Sequence, residues 1–290
     1  TTSSNSIYNQ GSINSINNAG TIQSNNRAIH NRDTISSLTN TNLITAAYFT
    51  IYNVGTLGTI TNSGTISASL GFAISNVYGN IESIINTSTG EINSASDTIV
   101  NGSGRFITSL INQGDIDASA DAAILNNGTI STINNSGNIY ATEGIGIEND
   151  GASATITNLT NSGNISAGTA ISNTTGSIET ITNTGSISSL TSLADIHNNG
   201  SINMLINRQS NLTFTGNLPA NYQIMIASTS NYGKITFSDV TGTTIFGIHA
   251  TSSVNENTTY TSVITGISDS ELSTTTGTFI DEGVIAMTGH

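Results

Sequence analysis

Three aspartates form the densest acidic group in the sequence and are the residues best suited to bind a cation. Asp115, Asp117 and Asp121 fall within seven consecutive residues. Calcium prefers several oxygen ligands, and side chains two positions apart on a strand point the same way. We therefore treat these aspartates as candidate calcium ligands, although no metal site is predicted outright. Solvated carboxylates are the default alternative, because the glycine-rich calcium repeat of toxin-type solenoids does not recur here. A second acidic group with the same two alternatives consists of Glu143, Glu148 and Asp150.

A histidine near an aspartate suggests a general base oriented by an acid. His197 follows Asp195 by two residues. No nucleophile motif of the form Gly-x-Ser-x-Gly accompanies them, and the position of His197 varies between the repeats described below. The sequence therefore predicts a surface histidine, no catalytic residue and no cofactor.

The composition excludes several classes of protein. Only 8% of the 290 residues are charged, the formal net charge is −13, and the five basic residues are scattered, so nucleic-acid binding is not expected. The absence of cysteine excludes disulfides and thiolate metal sites. No apolar run approaches the ~18 residues of a membrane helix. Hydrophobic residues still make up 35%, and their regular placement favours a folded chain over a disordered one.

The regularity comes from an internal repeat. A short phrase, Ile-x-Asn-x-Gly-x-Ile, recurs at residues 60–66, 133–139 and 181–187. It occurs twice in a larger unit of 22–25 residues, and each unit is marked by one isoleucine. These markers are Ile7, Ile29, Ile51, Ile74, Ile99, Ile124, Ile147, Ile171 and Ile196.

Two columns of asparagine accompany the markers, one two residues after each marker and one about eleven residues after it. They are Asn9, Asn31, Asn53, Asn76, Asn101, Asn126, Asn149, Asn173 and Asn198, and Asn18, Asn40, Asn62, Asn86, Asn112, Asn135, Asn161, Asn183 and Asn207. Side chains alternate between the two faces of a strand, so each asparagine points the same way as the isoleucine two residues before it. Both side chains should therefore point inward. Inward amides can hydrogen-bond along a stack, as in cross-β asparagine ladders.

This pattern predicts the fold. The unit is too short for paired helices, and three strands with three turns fit it. Stacking such units gives an all-β, right-handed parallel β-helix of about nine three-strand coils. The glycine that lies two residues after most of these asparagines is expected to supply the positive φ of a tight corner. Asn42 takes its place in one coil, because asparagine also tolerates that conformation. We assign residues 1–211 to the coils and residues 212–290 to a β-rich C-terminal cap or a few wider coils of the same solenoid.

The tandem Ile-x-Asn-x-Gly-Thr-Ile coils precede a strand-rich segment that contains Asn-Tyr-Gly-Lys-Ile-Thr-Phe at 231–237. Together they resemble the secreted passenger domain of bacterial type V autotransporters, in particular adhesin-type passengers. In that family the segment before the membrane barrel is a β-helical cap that helps the passenger fold as it emerges. The resemblance implies export through the outer membrane to the cell surface or medium. It also implies contact with the membrane only through a translocator barrel that is absent from this sequence.

Two functions remain open from the sequence. The first is a non-enzymatic cell-surface adhesin or self-association module, a rigid polar rod that mediates adhesion, aggregation or biofilm formation. Its partners would be host-cell or bacterial surface receptors, glycans included, or a second rod. The alternative is a carbohydrate-active β-helix enzyme, such as a polysaccharide lyase or hydrolase, which needs clustered carboxylates.

Overall fold

The computed structural model consists almost entirely of β-strands. Within the described residues the one helical element is a three-residue 3-10 helix, Asp269–Glu271, and no helix is long and apolar enough to cross a membrane. The structure describes residues 4–192, 194–255, 257–273, 278–281 and 284–288. Positions 256, 274–277, 282–283 and 289–290 of the predicted cap lie outside these residues.

Twenty-two strands cover the first eight coils. They are β1 (Asn5–Asn9), β2 (Ser12–Asn18), β3 (Thr21–Ser24), β4 (Arg27–Asn31), β5 (Thr34–Asn40), β6 (Leu43–Ala46), β7 (Phe49–Asn53), β8 (Thr56–Asn62), β9 (Thr65–Ala68), β10 (Phe72–Asn76), β11 (Asn80–Asn86), β12 (Glu91–Ser94), β13 (Ile99–Asn101), β14 (Phe106–Asn112), β15 (Asp115–Ala118), β16 (Ile124–Asn126), β17 (Thr129–Asn135), β18 (Asn138–Asn149), β19 (Thr155–Asn161), β20 (Asn164–Asn173), β21 (Ser177–Asn183) and β22 (Ser186–Ser189).

Nine further strands follow. They are β23 (Ile196–Asn198), β24 (Ser201–Asn207), β25 (Leu212–Asn217), β26 (Asn221–Ile224), β27 (Ile235–Thr241), β28 (Ile245–Ile248), β29 (Ile264–Thr265), β30 (Thr278–Asp281) and β31 (Val284–Thr288). The last two pair with each other in an antiparallel sheet.

The strands stack as a parallel β-solenoid, which confirms the predicted fold class. Each of the first eight coils contributes one strand to each of three faces. The second face is an 11-stranded sheet made of the middle strand of every coil, from β2 to β28. The first face, which begins with β1, β4 and β7, and the third face, which begins with β3, β6 and β9, belong to one 18-stranded sheet. The strands β18 and β20 are long because each runs from the third face of one coil into the first face of the next.

The solenoid has about eleven turns instead of the predicted nine. The strands β25 and β26 pair with β23 and β24, and β27 and β28 pair with β25 and β26 in turn. Residues assigned by sequence to a cap or to wider coils thus continue the parallel stack. These turns lack a strand on the third face within the described residues.

The core is a column of isoleucines. Every marker isoleucine from Ile29 to Ile196 is fully buried, because inward positions of stacked coils leave no path for water. In the last turns aromatic rings replace the aliphatic column. Phe214 lies 5.5 Å from Phe237, and Tyr222 lies 6.0 Å from Phe237, each with near-perpendicular rings. Edge-to-face packing of this kind adds to the burial of large apolar area.

The corner glycines do not have the conformation that the sequence suggested. Of the glycines two residues after a ladder asparagine, only Gly151 has a positive φ, of +108°. Crowding explains the others. A Cβ added at Gly64 would lie 2.1 Å from the carbonyl oxygen of Asn42 in the preceding coil. At Gly64 the preceding coil thus approaches too closely for a side chain, whereas the corners at Asp33 and Asn42 accept one.

Candidate functional site

The inward asparagines form two hydrogen-bonded ladders, and Asn112 illustrates the geometry of one rung. Its Nδ2 donates to Asn135 Oδ1 in the next coil at 2.8 Å, to the carbonyl of Asn138 at 2.9 Å and to the carbonyl of Gly114 at 3.0 Å. Its Oδ1 accepts from Asn86 Nδ2 at 2.9 Å. Each amide thus binds both neighbouring coils and closes its own corner.

The ladders are continuous along the stack. The Nδ2-to-Oδ1 distance between successive asparagines lies between 2.6 and 3.2 Å from Asn9 to Asn198 and from Asn18 to Asn207. All of these side chains are buried. A buried amide is tolerated only when its polar atoms are paired, and the ladders meet that condition. The role of these residues is therefore to hold the coils together.

Gln209 extends the second ladder at a place that the sequence analysis missed. Its Oε1 accepts from Asn183 Nδ2 at 3.0 Å and from the backbone N–H of Ile187 at 2.8 Å. Its Nε2 donates to the carbonyl of Ile187 at 2.8 Å. The glutamine thus replaces the strand that is missing from the third face of this coil. A polar residue two positions after Asn207, where most coils have glycine, is the signal that identifies it.

A shallow groove of about 300 Å³ lies on the outer surface of the third face, across β12, β15, β18 and β20. Glu91 is aligned with Asp115 and Asp115 with Asn138, while Asp117 is aligned with Tyr140. The groove therefore contains two short rows of side chains, two residues apart along the strands, and successive members of each row lie one coil apart. Its polar and aromatic lining consists of Glu91, Asp115, Asp117, Asn138, Tyr140 and Asn164.

The carboxylates of the groove differ in their surroundings. Asp115 Oδ1 accepts a hydrogen bond from Asn138 Nδ2 at 2.8 Å, and Glu91 Oε1 accepts one from Asn93 Nδ2 at 2.8 Å. Asp117 is half-buried, and this burial raises its pKa, as do the negative charges of Glu91 and Asp115. Asp117 thus holds a proton more readily than an ordinary aspartate. The groove can accept hydrogen bonds through its carboxylates, donate them through its amides and stack a flat group on Tyr140.

The structure does not bring the three candidate calcium ligands together. Asp115 and Asp117 line the groove, whereas Asp121 is exposed in the turn after β15, where its Oδ2 accepts from Ser96 Oγ at 2.7 Å. The turn carries Asp121 towards the first face, and Asp97 and Glu148 are the carboxyls whose pKa it influences. No group of three or more His, Asp or Glu residues in the described part of the chain could hold a metal ion.

The second acidic group is also rearranged by the fold. Burial raises the pKa of Glu148, and the nearby charges of Asp150, Asp97 and Asp121 raise it further. Burial likewise raises the pKa of Asp97, against the lowering effect of a hydrogen bond from the Ala122 N–H. Glu143, which the sequence grouped with Glu148, is exposed and is not among the charges that raise the pKa of Glu148.

Substitution of Glu148 by glutamine is expected to stabilise the fold at pH 7. A carboxyl whose folded pKa is raised contributes stability that is full below its unfolded pKa, about 4.3, and is lost as the pH rises through the folded value. The wild-type chain should therefore have a higher Tm at pH 5 than at pH 7. Glu148→Gln should raise the Tm at pH 7 and reduce this difference. Thermal melts followed by circular dichroism at both pH values test this.

The exposed Glu179 on the second face provides the matched control for that experiment, because it lies outside the acidic group. Glu179→Gln should leave the difference in Tm between pH 5 and pH 7 as in the wild type. Equal effects of the two substitutions would contradict the assignment to Glu148.

His197 and Asp195 do not form a catalytic pair. The Asp195 carboxylate accepts hydrogen bonds from the backbone N–H groups of Ser189 and Thr213, each at 2.8 Å. The ring of His197 instead lies 2.9 Å from Thr215 Oγ1 and 2.9 Å from Asn199 Nδ2. The aspartate therefore joins Ser189 of its own turn to Thr213 of the next coil and does not orient the imidazole.

Comparison with known proteins gives no relative. No protein-family model, no curated protein and no solved structure matches the chain.

Proposed function

We propose that this chain is a non-enzymatic adhesive module, a rigid β-solenoid rod that binds cell-surface glycans and associates with other rods. The observation that carries the proposal is the groove on the third face. There, carboxylates, amides and one aromatic ring converge on a rigid parallel sheet. Concave sites that fix a ligand with a few placed polar groups are typical of small-molecule binding.

The chemistry of the groove suits a neutral or amino sugar. Sugar hydroxyls can donate to Glu91 and Asp115, while Asn138 and Asn164 both donate and accept. The apolar face of a pyranose ring packs on an aromatic side chain such as Tyr140. None of the lining residues is basic, so the groove offers no partner for the carboxylate of an acidic sugar. The negative charges would favour a sugar that carries an ammonium group.

The rod itself supports an adhesive role. Its outer positions are mostly Ser, Thr and Asn, with few charges to oppose close approach of another surface. Weak contacts gain overall strength when many copies act on one surface. We therefore propose a location at the bacterial cell surface or in the medium, after export, in keeping with the resemblance to autotransporter passengers.

Substitution of Tyr140 by alanine is expected to weaken glycan binding about fivefold to tenfold. The loss corresponds to roughly 1 kcal/mol of stacking. A screen of immobilised neutral and amino glycans with the purified chain would identify a ligand, and calorimetry would give its Kd. Tyr48→Ala is the matched control, since Tyr48 is 49% exposed and lies outside the groove. Glycan binding that Tyr140→Ala leaves unchanged would exclude the groove.

A second candidate function follows from Asp117. Its raised pKa beside the carboxylate of Asp115 is the arrangement from which glycosidases draw a general acid and a second carboxylate. A depolymerisation screen on polysaccharides separates the two functions. Under our proposal no polysaccharide is cleaved. Cleavage that disappears in Asp115→Asn and Asp117→Asn would replace the proposal by a carbohydrate-active enzyme.

A further inference from the structure

The first face carries an aromatic and basic patch at its N-terminal end. Tyr8, His30 and Tyr52 are aligned in successive coils, with ring centroids 4.9 and 5.0 Å apart. Phe49 lies 5.2 Å from Tyr52 and 5.6 Å from Phe72. These rings form a continuous outer row over four coils. We use the name basic patch for these five rings together with Arg27 and Arg32.

Two of the five basic residues of the chain belong to this patch, and aromatic groups hold both. The guanidinium of Arg27 lies 4.6 Å from the centroid of the Tyr52 ring. Arg32 Nη1 donates to Tyr8 Oη at 3.1 Å, and its side chain is exposed. Neither contact neutralises the charge. The patch is thus a preorganised positive surface on a chain whose net charge is −13.

The same face carries an acidic patch five coils further along. The row that contains His30 continues through Ser75, Val100 and Leu125 to Glu148. His30 comes directly before ladder residue Asn31 and Arg32 directly after it. Glu148 and Asp150 have the same positions relative to Asn149. Each acidic residue therefore occupies the place on its coil that a basic-patch residue occupies on the second coil. The acidic patch consists of Glu148, Asp150, Asp97 and Asp121.

Exposed apolar side chains border the face between the two patches. Tyr48 is 49% exposed, Leu70 62%, Tyr78 60% and Phe106 52%. They lie in or next to the corners that flank the first face in coils three to five. Large exposed apolar groups gathered near one area are typical of interaction sites.

We infer that the first face binds the first face of a second copy, antiparallel, about a two-fold axis that lies between β10 and β13 and runs parallel to the strands. Such an axis reverses the order of the coils and keeps positions along a strand, so coil two meets coil seven of the partner. It brings Arg32 opposite Asp150, once on each side of the axis. His30 comes opposite Glu148 but is uncharged at pH 7, because burial and the nearby charges of Arg27 and Arg32 lower its pKa to about 4. This contact deepens the proposed adhesive function and rests on its self-association part.

Complementarity favours a second copy over other occupants. An isologous interface needs a surface that is complementary to itself. Here opposite charges lie at the two ends of the face, and the exposed apolar side chains lie at the corners between them, whereas Ser75 and Val100 beside the axis are buried. Glu148 lies among like charges, so an arginine of the partner nearby would relieve their repulsion. A polyanion such as nucleic acid would meet the basic patch but be repelled by the net charge of −13. The contact spans about 24 Å, or five coil spacings, which is small for a protein interface, so we expect a weak dimer.

Reciprocal charge reversal tests the inference. The wild-type chain should sediment as a dimer at about 100 µM, and this dimer should weaken at high salt because exposed charge pairs are screened. Arg32→Asp and Asp150→Arg should each weaken dimerisation at least tenfold. An equimolar mixture of the two variants should restore it, because the mixed dimer places opposite charges together on both sides of the axis.

Arg208→Asp is the matched control, since Arg208 donates to the carbonyl of Thr184 at 2.7 Å and lies outside the patch. It should dimerise as the wild type does. Circular dichroism of each variant verifies its fold. A wild-type monomer at 100 µM, an unaltered Kd in both single variants, or a mixture that stays monomeric would each overturn the inference. Glycan retention by the same variants, expected to be unchanged, separates failure of this interface from failure of the adhesive function.

Discussion

Substitution of Asn112 by alanine is expected to lower the free energy of unfolding by about 4 kcal/mol. The change removes four hydrogen bonds of a fully buried amide and leaves Asn135 Oδ1 without its donor. Each buried polar group left unpaired costs about 1–3 kcal/mol, and the lost volume leaves a cavity. Urea unfolding followed by circular dichroism measures the change in midpoint.

Asn134 provides the control for this prediction, because it lies in the same coil as ladder residue Asn135 but is exposed. Asn134→Ala should change the urea midpoint little. Asn112→Asp, which keeps the shape but removes the donor and buries a charge, should destabilise at pH 7 at least as much as alanine. Similar midpoints for Asn112→Ala and Asn134→Ala would show that the ladder adds little to stability.

Substitution of Gly64 by alanine should destabilise the fold by about 3 kcal/mol or more. The added Cβ would lie 2.1 Å from Asn42 O and 2.6 Å from Asn42 N. Both are backbone atoms, so they can move only if the two coils separate, and overpacking of this kind typically costs at least 1–3 kcal/mol. Hydrogen exchange should show the loss of protection centred on β6 and β9, next to this corner.

Gly20 provides the control for the substitution of Gly64. It occupies the equivalent corner of the first coil, and an added Cβ would meet no atom within 4 Å there. Gly20→Ala should therefore be nearly neutral in the same urea titration. If both substitutions destabilise equally, then backbone conformation, and not contact between coils, determines the need for glycine.

The architecture was readable from the sequence because the repeat is strict where the chain is buried. A marker isoleucine and an asparagine two residues later define the inward side of each coil. A shift of the strand register by one residue would turn both side chains outward. The last turns of the solenoid could not be recognised from this repeat. Phe214 aligns with Ile196 after only 18 residues, since these turns lack a third-face strand within the described residues. Aromatic residues replace the aliphatic ones, and Gly216 and Ile224 lie where ladder asparagines would be. Neither the period nor the residue types then identify a coil.

The groove was only half predictable. The spacing of Asp115 and Asp117 indicated that both point the same way, but Glu91 and Tyr140 join them only through the register between coils. That register depends on turns of different lengths, so sequence separation does not reveal which residues become neighbours. The same turns separate Asp121 from the other two aspartates. The prediction of a positive φ at the corner glycines was wrong for a related reason. The atoms that crowd a side chain there belong to the adjacent coil, so the local sequence does not reveal them.

The ladders also give the rod an electrical direction. Within each ladder, an asparagine donates from Nδ2 to the asparagine of the next coil and accepts at Oδ1 from that of the previous coil, so the amide dipoles point the same way and add. Aligned peptide dipoles in a helix sum in the same manner. The N-terminal end of each column is the negative pole and the C-terminal end the positive pole. Two rods side by side therefore attract when antiparallel and repel when parallel, so this internal polarity would favour one orientation of any lateral assembly.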